Sequence, residues 1–338
     1  MTTLQKNVPN NLRQREKSFT RMSTISYRFV AWLREILSRA RRSQTTSAAP
    51  SSDRPTDGTN PTKAFAGLSE DAWFGILADS ITTPVQRGIT LPGFPAEATQ
   101  QQFVGSAGRH SLLEAFNFYK VVKAYAETMG HSVNTHTRIM DFGCGWGRML
   151  RFFLKDVDAK NLFGIDVDPN IIAFCQRAFA YGQFSVVPAL PPVKFPTGFF
   201  DLIYGYSVFS HLNEDTHLKW IAEFSRVIKA GGLLLVTTQG RGFIDFCQTL
   251  RQQATFETEW HRALARSFVD RDQALNDYDA GTFLHSPSGG GDFRPSSFYG
   301  ETLIPKRYVV DVWTKWLRFV DFRDDPQFLP QALIVMQK

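Results

Sequence analysis

IMDFGCGWGR, residues 139–148, is the stretch of sequence that decides the fold of this chain. It begins as an apolar strand, Arg138–Met140, and the acid Asp141 follows directly. Three glycines then occur at alternate positions before a helical pattern over Met149–Leu154. Glycine adopts positive φ in a tight turn, and its missing side chain lets a ligand lie against the backbone at a helix N-terminus. The stretch therefore predicts a strand–turn–helix unit that binds a ligand at its turn.

A second acid lies at the distance expected of a nucleotide-binding βαβ unit. NLFGID, residues 161–166, predicts the next strand, and Asp166 lies 19 residues after Gly147. In such a unit this distance brings a carboxylate beside a ribose, where it accepts hydrogen bonds from both hydroxyls. Asp168, followed by Pro169, instead has the pattern of a helix N-cap with proline at the first helical position. We therefore predict that Asp166 binds a ligand and that Asp168 caps a helix.

The glycine spacing differs from that of nicotinamide enzymes, whose fingerprint G-x-G-x-x-G would put its third glycine where this chain has Arg148. Here the spacing is G-x-G-x-G, with an acid two residues before the first glycine, which resembles motif I of the class I S-adenosylmethionine-dependent methyltransferases. The resemblance covers most of residues 105–338. Three more segments are similar to family motifs in the right order: GID at 164–166 to the ribose-binding acid, FFDLIYGYSVFSHL at 199–212 to the fourth strand and active-site loop, and KAGGLLLV at 229–236 to the turn into the fifth strand.

The resemblance implies an α/β fold, a Rossmann-like seven-stranded sheet that is parallel with a C-terminal antiparallel hairpin and is flanked by helices. It implies S-adenosyl-L-methionine as the cofactor and methyl transfer as the reaction. Many members carry an acid or Asn after strand three for the adenine amino group, whereas this chain has FSVVPAL at 184–190. Adenine is then expected to contact backbone groups and apolar side chains from Val167, Ala189 and Leu190. The implied cofactor contacts are Asp141, Phe142, Gly143, Cys144, Gly145, Gly147, Asp166, Val167 and Ser207.

Alternating strands and helices to about Gln239 predict a parallel sheet with helices on both faces. We expect a methyltransferase domain over residues 64–338, after an arm and linker over 1–63. Residues 241–308 are too long for a simple connector and are predicted to form a helical cap over the cofactor edge. The expected elements outside the first strands are helices over 111–130, 219–229 (entered through Asn213-Glu214-Asp215 and ended by Gly231-Gly232), 243–252 and 261–278, and a final antiparallel pair over 318–322 and 332–336.

Two side chains after the fourth strand are candidates for catalysis. The carboxyl end of that strand is a typical ligand-binding position in open α/β sheets. His211 is the leading candidate for a general base, because an imidazole titrates close to neutral pH, at about 6.5. Tyr206 is a second candidate. The alternative is structural for both, with His211 hydrogen-bonding its loop and Tyr206 packing as a wall.

Several other side chains carry open alternatives. Arg109, His110 and Arg148 are candidates for binding the substrate or the amino-acid part of the cofactor, with surface ion pairing equally open. The tryptophans 260, 313 and 316 are candidates for an aromatic platform under a sugar or planar ring, or for ordinary core residues. Three cysteines, Cys144 among them, lack the spacing of a zinc or iron–sulfur site, so no metal is predicted.

The charge of the chain is unevenly distributed. The whole sequence carries +6, residues 1–42 carry ten Lys and Arg against two Glu and hence +8, and the remainder therefore sums to −2. A nearly neutral body argues against a nucleic-acid partner. Residues 23–42 have a basic amphipathic pattern, typical of contact with an anionic membrane surface or a partner protein, and a disordered terminus is the alternative. We expect a cytoplasmic protein that is peripheral to the membrane if this helix binds there.

The function predicted from the sequence is methyl transfer from S-adenosylmethionine to a small-molecule or glycan acceptor, with oxygen as the expected acceptor atom. No Asp/Asn-Pro-Pro-Tyr/Phe tetrapeptide follows the fourth strand, which disfavours amide and nucleobase N-methylation by that route. Two rivals are a catalytically silent cofactor-binding module tethered by its basic arm and an NAD(P)-dependent reductase.

Overall fold

The computed structural model describes residues 61–180 and 182–338. The basic arm and most of the linker lie outside these residues, so the prediction for residues 23–42 stays a prediction. Helices and one short hairpin precede the main sheet: α1 Pro61–Ala64, α2 Glu70–Asp79, β1 Val85–Gln86, β2 Ile89–Thr90, α3 Glu97–Val104 and α4 Gly108–Thr128. The long helix α4 corresponds to the helix predicted over 111–130.

A mixed sheet of seven strands forms the centre of the molecule. Its order is β10-β11-β7-β6-β3-β4-β5, with β3 to β7 parallel and β11 antiparallel to both β7 and β10. The predicted fold class and the predicted C-terminal hairpin are therefore confirmed. The strands are β3 Ile139–Phe142, β4 Leu162–Asp166, β5 Gln183–Val186, β6 Phe200–Gly205, β7 Ile228–Thr238, β10 Arg318–Arg323 and β11 Ala332–Gln337.

The strand order fixes where a ligand can bind. The chain runs outward from β3 through β4 to β5 and then returns to the other side of β3 as β6. Ligands in open α/β sheets lie outside the carboxyl ends of the strands at such a reversal. The loops that follow β3, β4 and β6 therefore meet at one edge, and these loops contain the predicted site residues.

Helices pack on both faces of the sheet. The predicted helix after the glycines is present, and it is a 3-10 helix, Leu150–Lys155. Helix α5, Pro169–Ala178, begins as predicted, because the Asp168 side chain accepts from Asn170 N at 2.8 Å. Helix α6, Glu214–Val227, is entered at Asn213-Glu214-Asp215 as predicted, since the Asn213 side chain accepts from Thr216 N and caps it.

The glycine pair 231–232 lies inside β7 and does not end α6. Ile228 pairs with Phe200, but Leu233 pairs with Leu202, so the intervening residues of β7 form an irregularity in the ladder. A Cβ at Gly232 would lie 2.9 Å from the carbonyl oxygen of Asp201. The pair therefore allows close contact between strands rather than a reversal after a helix.

The residues between β7 and β10 form α7 Gly242–Arg251, α8 Glu259–Leu264, α9 Arg271–Ala280, β8 Leu284–Pro287, β9 Gly300–Leu303 and α10 Lys306–Val312. The single helix predicted over 261–278 is wrong, because Phe268 has a φ of 50° and Asp270 caps a new helix. Strands β8 and β9 pair antiparallel. Two backbone bonds tie β9 to the loop after β6, from Gly300 N to His211 O and from Thr302 N to Ser210 O, both at 2.8 Å.

None of the helices within residues 61–180 and 182–338 combines the length and apolar character needed to cross a membrane.

Candidate active site

The glycine loop and Asp166 lie against each other. The backbone N–H groups of Gly143 and Cys144 donate to the carbonyl oxygen of Ile165 at 2.8 and 3.1 Å. The N–H of Gly145 donates to Asp166 Oδ2 at 2.9 Å, and the N–H of Asp168 donates to Asp166 Oδ1 at 3.0 Å. The turn after β3 is thus fastened to the end of β4 by backbone and side-chain bonds.

The three glycines of this loop differ in how closely neighbouring side chains pack against them. Gly143 has a φ of 71°, and a Cβ there would lie 2.4 Å from Cγ2 of Val208 in the loop after β6. A Cβ at Gly147 would lie 2.5 Å from the Phe179 ring, whereas one at Gly145 would meet only Phe103, at 3.5 Å. Packing therefore excludes a side chain at the first and third glycines, while Gly145 keeps an uncrowded face beside Asp166.

Two predicted contact residues can offer only backbone to a ligand. The ring of Phe142 is buried on one face of the sheet, with its centroid 4.5 Å from that of Trp220. The thiol of Cys144 is buried as well, and burial raises its pKa well above the ordinary range. A buried thiol of raised pKa is a poor nucleophile, which supports a packing role for Cys144.

Two buried acids give the site its electrostatic character. Asp141 is buried, and its Oδ2 has no hydrogen-bond partner among the described residues. Burial raises the pKa of Asp141 to about 8; the Tyr204 hydroxyl opposes the shift and the neighbouring Asp166 adds to it. Burial also raises the pKa of Asp166, against its bonds from the N–H groups of Asp168 and Gly145. Such a pair favours a ligand that brings positive charge or hydrogen-bond donors.

The carboxyl end of β5 exposes apolar side chains close to Asp166. Val186 is 50% exposed and Leu190 41% exposed. The chain here is held in place, because Val187 N donates to Asp166 O at 2.9 Å and the Trp220 indole N–H donates to Ala189 O at 2.9 Å. An apolar rim therefore borders the acids on this side, as the predicted adenine contacts require.

Tyr206 belongs to a buried polar chain. Its hydroxyl donates to Glu114 at 2.7 Å, and Arg148 donates to the same carboxylate at 2.8 Å. Burial acts to raise the pKa of Glu114, but the Arg148 charge and the hydrogen bond from the Tyr206 hydroxyl outweigh burial. The pKa of Glu114 is therefore lowered. Burial, and then the charge of Glu114, raises the pKa of Tyr206 well above its ordinary value. Tyr206 is thus a poor base, and the arrangement favours the structural alternative for it.

Ser207 occupies a strained position at the end of β6. Its φ is 58°, which is uncommon for a residue other than glycine and is typical of functional sites. Its N–H donates to Thr237 Oγ1 at 2.7 Å, and its hydroxyl accepts from Gln331 at 3.0 Å. Side chains of β7 and of the segment before β11 therefore hold this turn in the conformation that borders the glycine loop.

His211 has a defined tautomer. Its Nδ1 lies 2.8 Å from the carbonyl oxygen of Gly300, which can only accept, so Nδ1 carries the proton. The neutral ring then has its lone pair on Nε2, for which no partner occurs among the described residues. The ring stacks on Tyr299, with centroids 4.6 Å apart and planes at 10°. The ring of His211 is thus fixed in orientation by Gly300 and Tyr299.

A buried glutamate lies behind His211. Glu301 Oε1 is 3.7 Å from His211 Nδ1, and Glu301 is 1% exposed. Burial raises the pKa of Glu301, whereas His211 and the hydrogen bonds from Trp260 and Gln239 lower it. The Trp260 indole N–H donates to Oε1 at 2.9 Å and Gln239 donates to Oε2 at 3.1 Å. A positive charge on the His211 ring would therefore lie beside a carboxyl group that the hydrogen bonds from Trp260 and Gln239 hold in place.

The structure places the other candidates in packing and ion-pair contacts. Arg109 lies over the Phe74 ring, 4.7 Å from its centroid. Arg148 is engaged by Glu114, as described above. Trp313 is buried and donates to His217 at 3.2 Å, and Trp316 packs at the edge of the same core cluster. Trp313 and Trp316 therefore follow the core-packing alternative, while Trp260 bonds to the Glu301 carboxylate beside His211.

Sequence reasoning missed Glu114, Arg294, Tyr299 and Glu301. Three of these come from the insertion between β7 and β10 and reach the site through chain reversals that no local pattern encodes. Arg294 lies between the rings of Phe103 and Tyr299, 5.4 and 5.7 Å from their centroids, and its charge lowers the pKa of Asp166. The one available signal was the run GETLI at 300–304, a short strand with a single acid.

Comparison with known proteins agrees with this geometry. Residues 139–232 match the family model described as a methyltransferase domain. Malonyl-[acyl-carrier protein] O-methyltransferase of Paenibacillus sp. (strain JDR-2) is 25% identical over 156 residues, which cover 43% of this chain and 56% of that protein. Ribosomal protein L11 methyltransferase of Paraburkholderia phytofirmans is 31% identical over 77 residues, which cover 23% of this chain and 25% of that protein.

The chain thus spans about half the length of the first relative and a quarter of the second. Among solved structures, a S-adenosylmethionine-dependent methyltransferase from Clostridium acetobutylicum is similar with a TM-score of 0.44 and 10% identity, over 72% of this chain and 96% of that chain.

Proposed function

We propose that this chain, which is a class I S-adenosylmethionine-dependent methyltransferase, transfers the methyl group of that cofactor to a hydroxyl oxygen of a small-molecule or glycan acceptor. The family and the cofactor follow from the match over residues 139–232 and from the sheet topology. The acceptor, the atom methylated and the roles of individual residues are our proposal.

The residues at the carboxyl edge fit S-adenosylmethionine. The unpartnered Oδ2 of Asp141 is an acceptor for the α-ammonium group, which would also lower the cost of ionising that buried acid. Each Asp166 oxygen already accepts one backbone N–H but keeps a second lone pair, and these suit the two ribose hydroxyls. The exposed apolar rim at Val186 and Leu190 suits the adenine ring.

When bound, the cofactor supplies an electrophilic methyl group, because its sulfonium carries a positive charge. The protein then has to orient the acceptor in line with the methyl–sulfur bond and to exclude water. A hydroxyl acceptor must also lose its proton during attack. His211 can accept that proton at Nε2, while Nδ1–H stays bonded to Gly300 O and Glu301 stabilises the imidazolium that results.

The observation that carries the proposal is the bond from Gly145 N–H to Asp166, because it joins the bare-backbone turn to the acid of the neighbouring strand. Calorimetric titration with S-adenosylhomocysteine tests it. We expect binding by the wild type and its loss in Gly145→Asp and in Asp166→Ala. Gly242→Asp, which adds the same charge at an uncrowded glycine of α7, is the matched control and should bind normally. Undiminished binding in both site variants would refute the placement.

A catalytically silent module would bind the cofactor equally well. Release of labelled methyl groups from S-adenosylmethionine into hydroxyl-bearing metabolites separates the two functions, and His211→Ala should lower that release at least tenfold, by the usual contribution of a general base. S-adenosylhomocysteine affinity should stay within twofold of wild type in this variant. Binding without any transfer across sugar, phenol and carboxylate acceptors would favour the silent module.

A further inference from the structure

A directed chain of hydrogen bonds ends at the Ser207 hydroxyl. The backbone N–H of Ser207, which can only donate, is bonded to Thr237 Oγ1 at 2.7 Å. Thr237 is fully buried, and among the described residues the only acceptor for its own proton is Gln331 Oε1, at 2.6 Å. The amide of Gln331 therefore turns its Nε2 toward Ser207 Oγ, to which it donates at 3.0 Å. The direction of every bond in this chain is thus fixed, and the Ser207 hydroxyl accepts at its end.

The proton of the Ser207 hydroxyl is left for a ligand. Ser210 is fully buried, and within the described part of the chain its hydroxyl has no acceptor besides Ser207 Oγ, at 3.4 Å. Ser210 therefore donates to Ser207, and together with Gln331 it occupies both lone pairs of that oxygen. Ser207 itself is only half-buried. A hydroxyl held as a donor favours a ligand atom that only accepts, such as a carboxylate oxygen.

The strand order places this donor on one side of the ribose acid. Asp166 ends β4, Asp141 lies near the end of β3, and Ser207 follows β6, the neighbour of β3 on the side away from β4. Val208 packs against Gly143, so the turn at Ser207 borders the glycine loop. With the ribose at Asp166 and the α-ammonium group at Asp141, as proposed above, the cofactor runs along this edge toward β6. Its carboxylate is the charged group that remains to be bound there.

We propose that Gln331 is a positioning residue, which fixes the Ser207 hydroxyl as a hydrogen-bond donor to the carboxylate of the bound cofactor. Gln331 lies 124 residues from Ser207 in the chain. It reaches the carboxyl edge because β11 runs antiparallel to β7, so that the start of β11 at Ala332 pairs with Thr238 at the end of β7. The inference rests on the proposed placement of the cofactor and adds to it a residue from outside the βαβ unit.

Two ligands test which group of the cofactor the hydroxyl meets. S-adenosylhomocysteine carries the carboxylate, whereas 5′-methylthioadenosine has the same adenosine and thioether without the amino-acid part. In calorimetric titration, Ser207→Ala should bind S-adenosylhomocysteine about tenfold or more weakly than wild type, the usual value of a hydrogen bond to a charged group. Its affinity for 5′-methylthioadenosine should be unchanged. Ser207→Gly, in which glycine adopts the positive φ at low cost, should show the same selective loss. Equal weakening of both ligands would overturn the contact.

Replacing Gln331 by Glu tests the positioning role. An ionised carboxylate can only accept, so the Ser207 hydroxyl would donate to it and no longer to the ligand. We expect about tenfold weaker binding of S-adenosylhomocysteine at pH 8. The difference from wild type should narrow as pH falls toward the pKa of the new carboxyl group, about 4.3 when unperturbed, because a protonated carboxyl again donates to Ser207.

Controls separate the positioning role from a general effect of charge or packing. In the Ser207→Ala background, Gln331→Glu should weaken binding by about twofold at most, because the hydroxyl through which it acts is missing. Gln327→Glu, the same change at an exposed position of the same segment, should bind like wild type. If Gln331→Glu does not fold, Gln331→Met, which lacks both bonds, should weaken S-adenosylhomocysteine binding severalfold and spare 5′-methylthioadenosine.

An equal loss of affinity in both Ser207 backgrounds, or a loss in the Gln331 variants that also affects 5′-methylthioadenosine, would overturn the positioning role. Failure of the wild type to bind S-adenosylhomocysteine would instead count against the proposed function.

Discussion

Replacing Asp141 by Asn should stabilise the cofactor-free protein and weaken cofactor binding at the same time. The carboxyl group is buried, and its pKa is raised from 3.8 to about 8. The folded protein therefore keeps a proton on Asp141 up to about pH 8, which the unfolded chain releases above about pH 4. Because the folded state binds more protons in this range, the wild-type free energy of unfolding falls as pH rises, by about 1.4 kcal/mol per unit.

The magnitude follows from that difference. Between pH 5 and pH 8 the wild type should lose roughly 3 to 4 kcal/mol through this one group, as an upper limit. Asp141→Asn has no proton to lose, so the gap in free energy of unfolding between variant and wild type should widen in its favour by that amount. Comparing the two pH values cancels any constant difference between an amide and a neutral carboxyl group at this position.

Urea denaturation at pH 5 and pH 8, without cofactor, measures the gap. Asp71→Asn, an exposed acid on α2, is the matched control and should run parallel to wild type at both pH values. S-adenosylhomocysteine affinity of Asp141→Asn should fall about tenfold or more, the usual value of a hydrogen bond to a charged group. A gap that stays constant within about 0.5 kcal/mol, the usual precision of such comparisons, would refute the assigned burial cost.

Three further predictions concern other parts of the chain. Gly143→Ala should destabilise the protein by about 2 to 4 kcal/mol, because the added methyl group overpacks against Val208 and because the backbone has a positive φ there. In a double-mutant cycle of urea unfolding, adding Val208→Ala should recover the part that is due to overpacking. If the two substitutions change the free energy of unfolding additively, the contact between these residues is contradicted. Glu301→Gln should lower kcat about tenfold at unchanged S-adenosylhomocysteine affinity, since the imidazolium loses its counter-charge. Because the pKa of Glu301 is raised in the folded state, the free energy of unfolding of the wild type should fall relative to that of Glu301→Gln as pH rises. If urea denaturation gives the same pH dependence for both proteins, the result argues against a buried acid at this position. Deleting residues 1–42 should leave S-adenosylhomocysteine affinity unchanged but reduce sedimentation with anionic vesicles, because the segment carries +8; equal sedimentation would reject the membrane contact.

The contact between the glycine turn and Asp166 could be predicted from sequence because its parts are local. The turn at 141–147 and Asp166 belong to one βαβ unit, whose connection lengths fix their distance. Asp168 could be identified as a cap because capping depends on the next three residues. The fold followed for the same reason, since alternating strands and helices have few possible connections.

The surroundings of His211 could not be predicted, since they depend on contacts between residues that are distant in sequence. Glu301 lies 90 residues after His211 in the chain, and the backbone bonds between β9 and the loop after β6 bring them together. The break between α8 and α9 was not predicted, because Phe268 adopts a left-handed conformation that is uncommon for its residue type. The glycine pair 231–232 has a typical helix-ending pattern, but strand pairing with Leu202 sets its conformation.

The bonds that tie β9 to the loop after β6 have a consequence for how the protein would fail on heating. His211 is oriented by Gly300, which belongs to a segment that leaves the sheet after β7 and returns only at β10, whereas the glycine turn is held by neighbouring central strands. Peripheral segments open at lower free energy than central strands. Warming should therefore abolish turnover at a temperature at which the amides of the glycine turn and of the central strands are still protected from hydrogen exchange, so that loss of activity would precede unfolding of the sheet.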